Sequence, residues 1–331
     1  MSHRKLVVSF LCLGVILPAI AVVVASAWQP AGVRDQSVRS AAVQQRQARK
    51  IKAVRSMNAG DHLAARVEFE RMISSPQTPL DPVDGRRMMA MSLRLAGEAQ
   101  LAEVFLDQAI DALSKVAEDD ATKSAMKLAI LMDRADLAAF SLDQPERALE
   151  LYDQVRSADS SSRVSVIAAR NAAFLAAKIG KLSNAAERVD ALLALPAASQ
   201  IPEDERTELL ASQASWYMSA GDAGQAHAHY LAIWNNQRNA DSVTVANAGA
   251  ACVGWYPVQT HCNEMLMLAK DVLSMVDRIK ATGSAQGVEF AVLRSCEQQV
   301  ASAVVSAEGC ASPEAVQAAR RRLPVVAAAG R

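Results

Sequence analysis

Residues 60–69 read GDHLAARVEF, and near copies return at 97 (GEAQLAEVFL), 180 (GKLSNAAERV) and 221 (GDAGQAHAHY). Aligned on the glycine, Gly60, Gly97, Gly180 and Gly221 are followed five residues on by Ala65, Ala102, Ala185 and Ala226. Four residues further stand Phe69, Leu106, Val189 and Tyr230, and three beyond those Met72, Ala109, Leu192 and Ile233. Steps of four and three place these side chains on one face of a helix. A fifth copy, DQPERALELYDQV from Asp143, keeps Ala148, Tyr152 and Val155 in the same places but lacks the glycine. Its Pro145 falls near the helix start, where the first amides have no partner to lose. Successive copies are offset by 37, 46, 37 and 41 residues, the period of a helical solenoid.

A second helical stretch precedes each copy. DGRRMMAMSLRLA before Gly97 sets Met89, Ala90 and Leu93 on one side, and ERTELLASQASWYMSA before Gly221 does the same with Leu210, Ala214 and Tyr217. The unit is therefore helix, glycine turn, helix, with glycine in the left-handed cap and a small alanine letting the pair approach. The serine-rich stretch from Ser157 to Ser162 and the prolines at 76, 79, 82, 196 and 202 mark the links.

The motif G-x-x-x-x-A-x-x-x-[aromatic or aliphatic]-x-x-[small or aliphatic], followed by proline at Pro76 and Pro196, resembles the second helix of the tetratricopeptide repeat (TPR) family in its bacterial envelope form. The resemblance covers about residues 38–238. It implies an all-α, right-handed solenoid of about five TPR-like helix-turn-helix repeats over 38–240, closed by a helical cap over 241–331. It also implies a concave groove lined by the first helices, binding a peptide or helix of a protein partner. Carried over position by position, the groove takes Arg87, Met91 and Arg94 from the second unit and Asp133, Leu137 and Phe140 from the third. The fourth unit supplies Arg170, Phe174 and Lys178, and the fifth Ser215 and Met218. Such a lining favours an acidic and apolar segment. The lysine and asparagine set by which some members hold a free C-terminus is not reproduced.

Composition agrees with this reading. The 331 residues are 51% hydrophobic with only 4% aromatic and a net charge of zero. The core is thus built of small and aliphatic side chains, which suits close-packed helices. A neutral chain also argues against a nucleic-acid partner, whose phosphates call for a basic excess. One stretch is locally basic, with Arg46, Arg49, Lys50, Lys52 and Arg55 within ten residues. It is read as the polar outer side of a terminal helix, or as a contact for acidic lipid headgroups.

At the N-terminus, Arg4 and Lys5 precede an apolar run from Leu6 to Val24 and then Ala25-Ser26-Ala27. Residues 1–27 read as a signal peptide or as a single membrane anchor through 6–24, with 28–37 as linker. Either places the body outside the cytoplasm, in the periplasm or on the periplasmic face of the inner membrane. The basic residues after the run, Arg34, Arg39 and Arg46, would favour the opposite orientation of an anchor.

Beyond residue 240 the glycine pattern stops, and three stretches, CNEMLMLAKDVLSMVDRIKATG, GVEFAVLRSCEQQVASAVVSAEG and Pro313 to Leu323, read as capping helices. Cys252, Cys262, Cys296 and Cys310 all lie there. In an exported protein they suggest two disulfides, most simply Cys252 with Cys262 and Cys296 with Cys310, although three pairings exist and buried thiols are the alternative. Their spacing is not that of a zinc site. No phosphate loop, dinucleotide fingerprint or nucleophile elbow is present, and His227 and His229, two apart on a helix, point in different directions. No catalytic residue, metal or cofactor is expected. The alternative function is a ligand- or cell-wall-binding module with a deep pocket, or a non-catalytic subunit of an envelope enzyme.

Overall fold

Alanine-rich segments of ten to twenty-five residues, punctuated by glycine, proline and N-capping aspartate or serine, form helices throughout the computed structural model, which describes residues 36–256, 258–283 and 285–323. No strand occurs among the described residues. The first ten helices fall into five pairs: α1 (Gln36–Asn58) with α2 (His62–Ser74), α3 (Asp81–Leu95) with α4 (Ala99–Ser114), and α5 (Asp120–Phe140) with α6 (Pro145–Ala158). They continue with α7 (Arg163–Lys178) beside α8 (Leu182–Leu193), and α9 (Glu203–Ser219) beside α10 (Ala223–Gln237).

The repeated glycine makes the turn inside each pair. Gly60, Gly97 and Gly180 all have φ near +82° and Gly221 has +90°, a region that costs an L side chain energy. The next amide then returns to the carbonyl five residues back, as Glu98 N–H does to Leu93 O and Lys181 N–H to Ala176 O, both at 2.9 Å. In the third pair Asp143 fills the glycine slot with the same hand, φ +53°. There the following amide, Gln144 N–H, reaches one residue further back, to Ala138 O at 2.9 Å. Aspartate tolerates this region better than most side chains, which is how the turn survives without its glycine.

All five matched alanines are fully buried, and of the residues four positions later Phe69, Leu106, Tyr152 and Val189 are almost wholly covered and Tyr230 nearly so. Burying each of these larger side chains stabilises the fold by about 1.5–3 kcal/mol. The core is strung along the chain in successive clusters: one joins the first two pairs to Ile130 and Leu137 of α5, the next joins the third and fourth pairs, and another joins α7 and α8 to α9. This is nearest-neighbour stacking, as a solenoid requires.

Past residue 240 the stacking continues without the glycine signature. Helix α11 (Val243–Trp255) packs on α10 and touches α9, α12 (Val258–Thr282) packs on α11, α13 (Val288–Ser306) packs on both, and α14 (Pro313–Arg322) packs on α13. A Cβ on Gly249 would come within 2.6 Å of Trp234 and Val272, so this glycine sets how closely α10, α11 and α12 approach. Helix α12 is kinked at His261, where φ is −131°.

The cysteines pair differently from the simplest expectation. Cys262, just past the kink, is joined to Cys310 in the turn before α14, with Cα atoms 6.5 Å apart, and Cys252 and Cys296 are free and buried. Both free thiols sit on inward faces, of α11 and α13, and the Cys296 thiol donates to Asn247 Oδ1 at 3.5 Å. The signal-peptide or anchor reading of residues 1–27 and the expected linker 28–37 as far as residue 35 lie outside the described residues, while Gln36 and Ser37 of that linker already belong to α1; among the described residues no helix is long and apolar enough to cross a membrane. The basic stretch lies in α1, whose Lys50 reaches Asp84 at 2.9 Å and whose Lys52 reaches Glu68 at 3.4 Å, tying the terminal helix to α3 and α2.

Candidate functional site

The two rows of helices differ in how neighbouring units meet. First helices touch directly, α3 with α5, α5 with α7 and α9 with α11. Second helices are bridged by long side chains: Arg66 to Glu98 at 2.7 Å, Lys181 to Glu146 at 3.1 Å, and Arg188 in two bonds to Asp153 at 2.8 and 2.9 Å. The first helices are thus the closer row over these units, and they carry the groove positions assigned from sequence.

Those positions divide into three groups. Phe140, Phe174 and Met218 stand open to solvent, at 54%, 46% and 42% of their full exposure, near the C-terminal ends of α5, α7 and α9. Lys178 lies over the Phe140 ring, 5.8 Å from its centre, and Phe174 meets Trp216 of α9 edge-on at 5.2 Å. Ser215 is exposed. A second group is engaged between helices. Arg87 Nε donates to Asp133 Oδ2 at 2.8 Å, and Arg170 pairs with Glu205. Burial pulls the Arg87 guanidinium down, but Asp133 and Asp84 outweigh it and hold it charged. Met91 is half-buried against the core of the first two units. The third group is Leu137 alone, which is 2% exposed and belongs to the core between units rather than to the groove. It sits one helical turn before Phe140, on the side of α5 that faces α3 and α4.

Two of the four basic side chains expected to attract an acidic segment are thus neutralised by carboxylates of the first helix of the next unit. Of the other two, Lys178 is exposed and Arg94 half-buried. The Arg94 charge acts on Asp136, a carboxyl that the sequence reading did not single out. Tyr152 donates its hydroxyl to Asp136 Oδ1 at 2.6 Å. Burial nevertheless pushes the Asp136 pKa up to about 6, with repulsion from Asp133 adding and Tyr152, Arg94 and Asn171 opposing. This cluster draws on α3, α5, α6 and α7 and fastens three units together. Two further aromatic side chains lay outside the sequence reading, Trp216 of α9 against Phe174 and the exposed Trp255 of α11. Trp216 carried a sequence signal, its adjacency to Tyr217 five residues before the turn, whereas Trp255 lies where the repeat motif had stopped.

The two histidines of α10 diverge: His229 stacks on Tyr217 at 5.5 Å and His227 on Trp255 at 5.0 Å. Among the described residues no group of three or more His, Cys, Asp or Glu could hold a metal ion. Two depressions stand out, one of about 240 Å³ around Asp153, Arg156 and Arg188, the other of about 410 Å³ beside Val67 and Met89. Both lie on or next to the second helices and are shallow, unlike the deep pocket that a ligand-binding module calls for.

No protein-family model matches the sequence, nor does any curated protein. Among solved structures, the chain is similar to the nearly identical TPR-like repeats of a kinesin light chain-like protein from Podosopora anserina, with 16% identity and a TM-score of 0.42 over 61% of this chain and 98% of that one. It is similar to a tetratricopeptide repeat protein from Parabacteroides merdae, with 15% identity and a TM-score of 0.43 over 84% of this chain and 98% of that one. BtubC from P. vanneervenii gives 15% identity and a TM-score of 0.42 over 73% of this chain and 93% of that one. Five helix pairs turned on a left-handed residue, with a buried alanine at a fixed step beyond it and contacts confined to neighbouring units, make the fold a solenoid of TPR-like helical repeats.

Proposed function

We propose that the protein is a non-enzymatic interaction scaffold of the bacterial cell envelope that holds a peptide or helix of a protein partner along its concave row. The observation that carries this reading is the line of exposed apolar side chains, Phe140, Phe174 and Met218, at matching ends of three successive first helices. Large aromatic side chains left in water on a curved inner face have an unfavourable exposure that a partner relieves, and aromatic residues are common anchors at such interfaces. Lys178 beside Phe140 adds a cation at the edge of the apolar line, which suits a segment with an apolar face and an acidic flank. The envelope assignment rests on the Leu6 to Val24 run and the cysteine content of the C-terminal helices.

Hydroxyl-radical footprinting of the chain alone and cross-linked in its native membranes tests the proposal, because phenylalanine and methionine are reactive side chains. Oxidation of Phe140, Phe174 and Met218 should fall in the complex while that of exposed Met267 on α12 stays unchanged. Protection confined to other faces would refute groove binding.

A further inference from the structure

The outward face of the second helices changes character along the solenoid. Seven residues after the turn residue, α6 and α8 carry Glu150 and Glu187, both exposed. At the same step α2 and α4 carry Val67 and Val104, also exposed, and Leu63 and Leu101 stand about a turn earlier. Leu63 is 76% exposed and Val67 47%, and with Arg71 they follow one another at steps of four along a single face of α2. The shallow depression beside Val67 extends this apolar surface.

Cations border the patch. Arg71 and Lys52 both reach Glu68, at 3.1 and 3.4 Å, and both remain well exposed. Helix α1 holds six basic residues and no acidic one. Residues 36–74 carry eight basic against three acidic side chains, a net +5 in a chain whose total is zero. Only eleven residues separate the apolar run ending at Val24 from Gln36. Fully extended they span at most about 40 Å, so the first two units stay close to any bilayer that holds the run.

From this we infer that the outward face of α2, with its own Arg71 and the flanking cations of α1, docks on the surface of an anionic lipid bilayer, whereas α4, which carries Glu103, Asp107 and Asp111 and no basic residue, is not part of the contact. Leucine and valine side chains insert at the headgroup boundary while arginine and lysine neutralise headgroup charge. The positive excess favours lipid over a second copy of the chain, which would bring like charges together. The concave row, on the opposite side of the solenoid, stays open.

The test uses the full chain with a benzophenone amino acid at position 67, reconstituted in phosphatidylcholine vesicles with and without phosphatidylglycerol. Irradiation should give lipid adducts at position 67, several-fold more with the anionic lipid, and none from probes at 150 and 187. Leu63→Glu should reduce the adduct at 67 with the circular dichroism unchanged. Adducts with a second copy of the chain, no lipid adduct in either vesicle, or equal adducts at 150 and 187 would each overturn the inference.

Discussion

Replacing Gly180 by alanine isolates the energetic content of the repeated turn. The residue has φ +82°, and a Cβ built there would meet nothing within 4 Å. Steric overlap therefore contributes nothing, and the cost is that of holding an L residue in the left-handed region, about 1–2 kcal/mol. Alanine also stiffens the unfolded chain, which returns part of the effect to neither state's contacts but adds to stability, by about 0.4–1 kcal/mol. The expected net loss is about 1 kcal/mol, a fall in Tm of about 2–4 °C for a chain of this size. Asp143→Gly should move the midpoint the other way by a few tenths of a kcal/mol, because aspartate already occupies that region at φ +53°. Gly249→Ala differs in kind, since its Cβ would press on Trp234 and Val272 at 2.6 Å, and overpacking of this sort costs about 1–3 kcal/mol. Urea titrations followed by circular dichroism rank the three. A neutral Gly180→Ala together with a destabilising Asp143→Gly would refute the assignment of Asp143 to the glycine slot.

Other consequences follow from burial and charge. The raised Asp136 pKa means that the native state holds a proton that the unfolded chain has released, so stability declines as pH rises from the ordinary carboxyl range through about 6 and is level above it. Asp136→Asn, which still accepts from Tyr152, should flatten that profile and stabilise the protein at pH 8 by on the order of 2 kcal/mol; an unchanged slope between pH 4 and 7 in thermal melts would count against it. Cys262→Ser should cost about 2–4 kcal/mol, as the Cys262–Cys310 link closes a loop with a sequence separation of 48, and mass mapping of unreduced peptides should recover that pair and no other among the four. Leu137→Ala should lose about 2–5 kcal/mol and Phe140→Ala less than about 0.5 kcal/mol by the same urea assay, since one side chain fills the core and the other stands in solvent.

The repeat was legible because each of its signals is local. A left-handed turn, a close alanine contact and a buried face all lie within thirteen residues, so every copy carries the full statement of its own fold. Asp143 was the exception: aspartate can occupy the glycine's conformation, but nothing in its identity announces that it does. Three of the helices after 240 were legible as helices, but α11 (Val243–Trp255) was not singled out, and the continued stacking was not visible because α11 and α13 join the series through contacts between segments far apart in sequence rather than through a turn motif. Of the residues that the groove register named, Phe140, Phe174, Lys178 and Met218 are exposed on the first helices. The register could not show that Arg87 and Asp133, 46 residues apart, would pair, since that depends on the angle at which α3 meets α5. Leu137 fell into the core for the same reason: the closeness of α5 to the preceding unit covers a position that helical spacing alone leaves on the groove side. The cysteine pairing likewise turned on three-dimensional placement, with Cys252 and Cys296 facing inward and Cys262 and Cys310 meeting at the ends of their helices.

Affinity capture from cross-linked membranes by three full-length baits tests the central claim most directly: the unaltered chain, Phe140→Ala with Phe174→Ala, and Glu150→Ala with Glu187→Ala on the outward face. The account expects one protein partner retained by the first and third baits and lost at least tenfold by the second. Equal capture by all three, or loss confined to the third, would contradict a concave binding site.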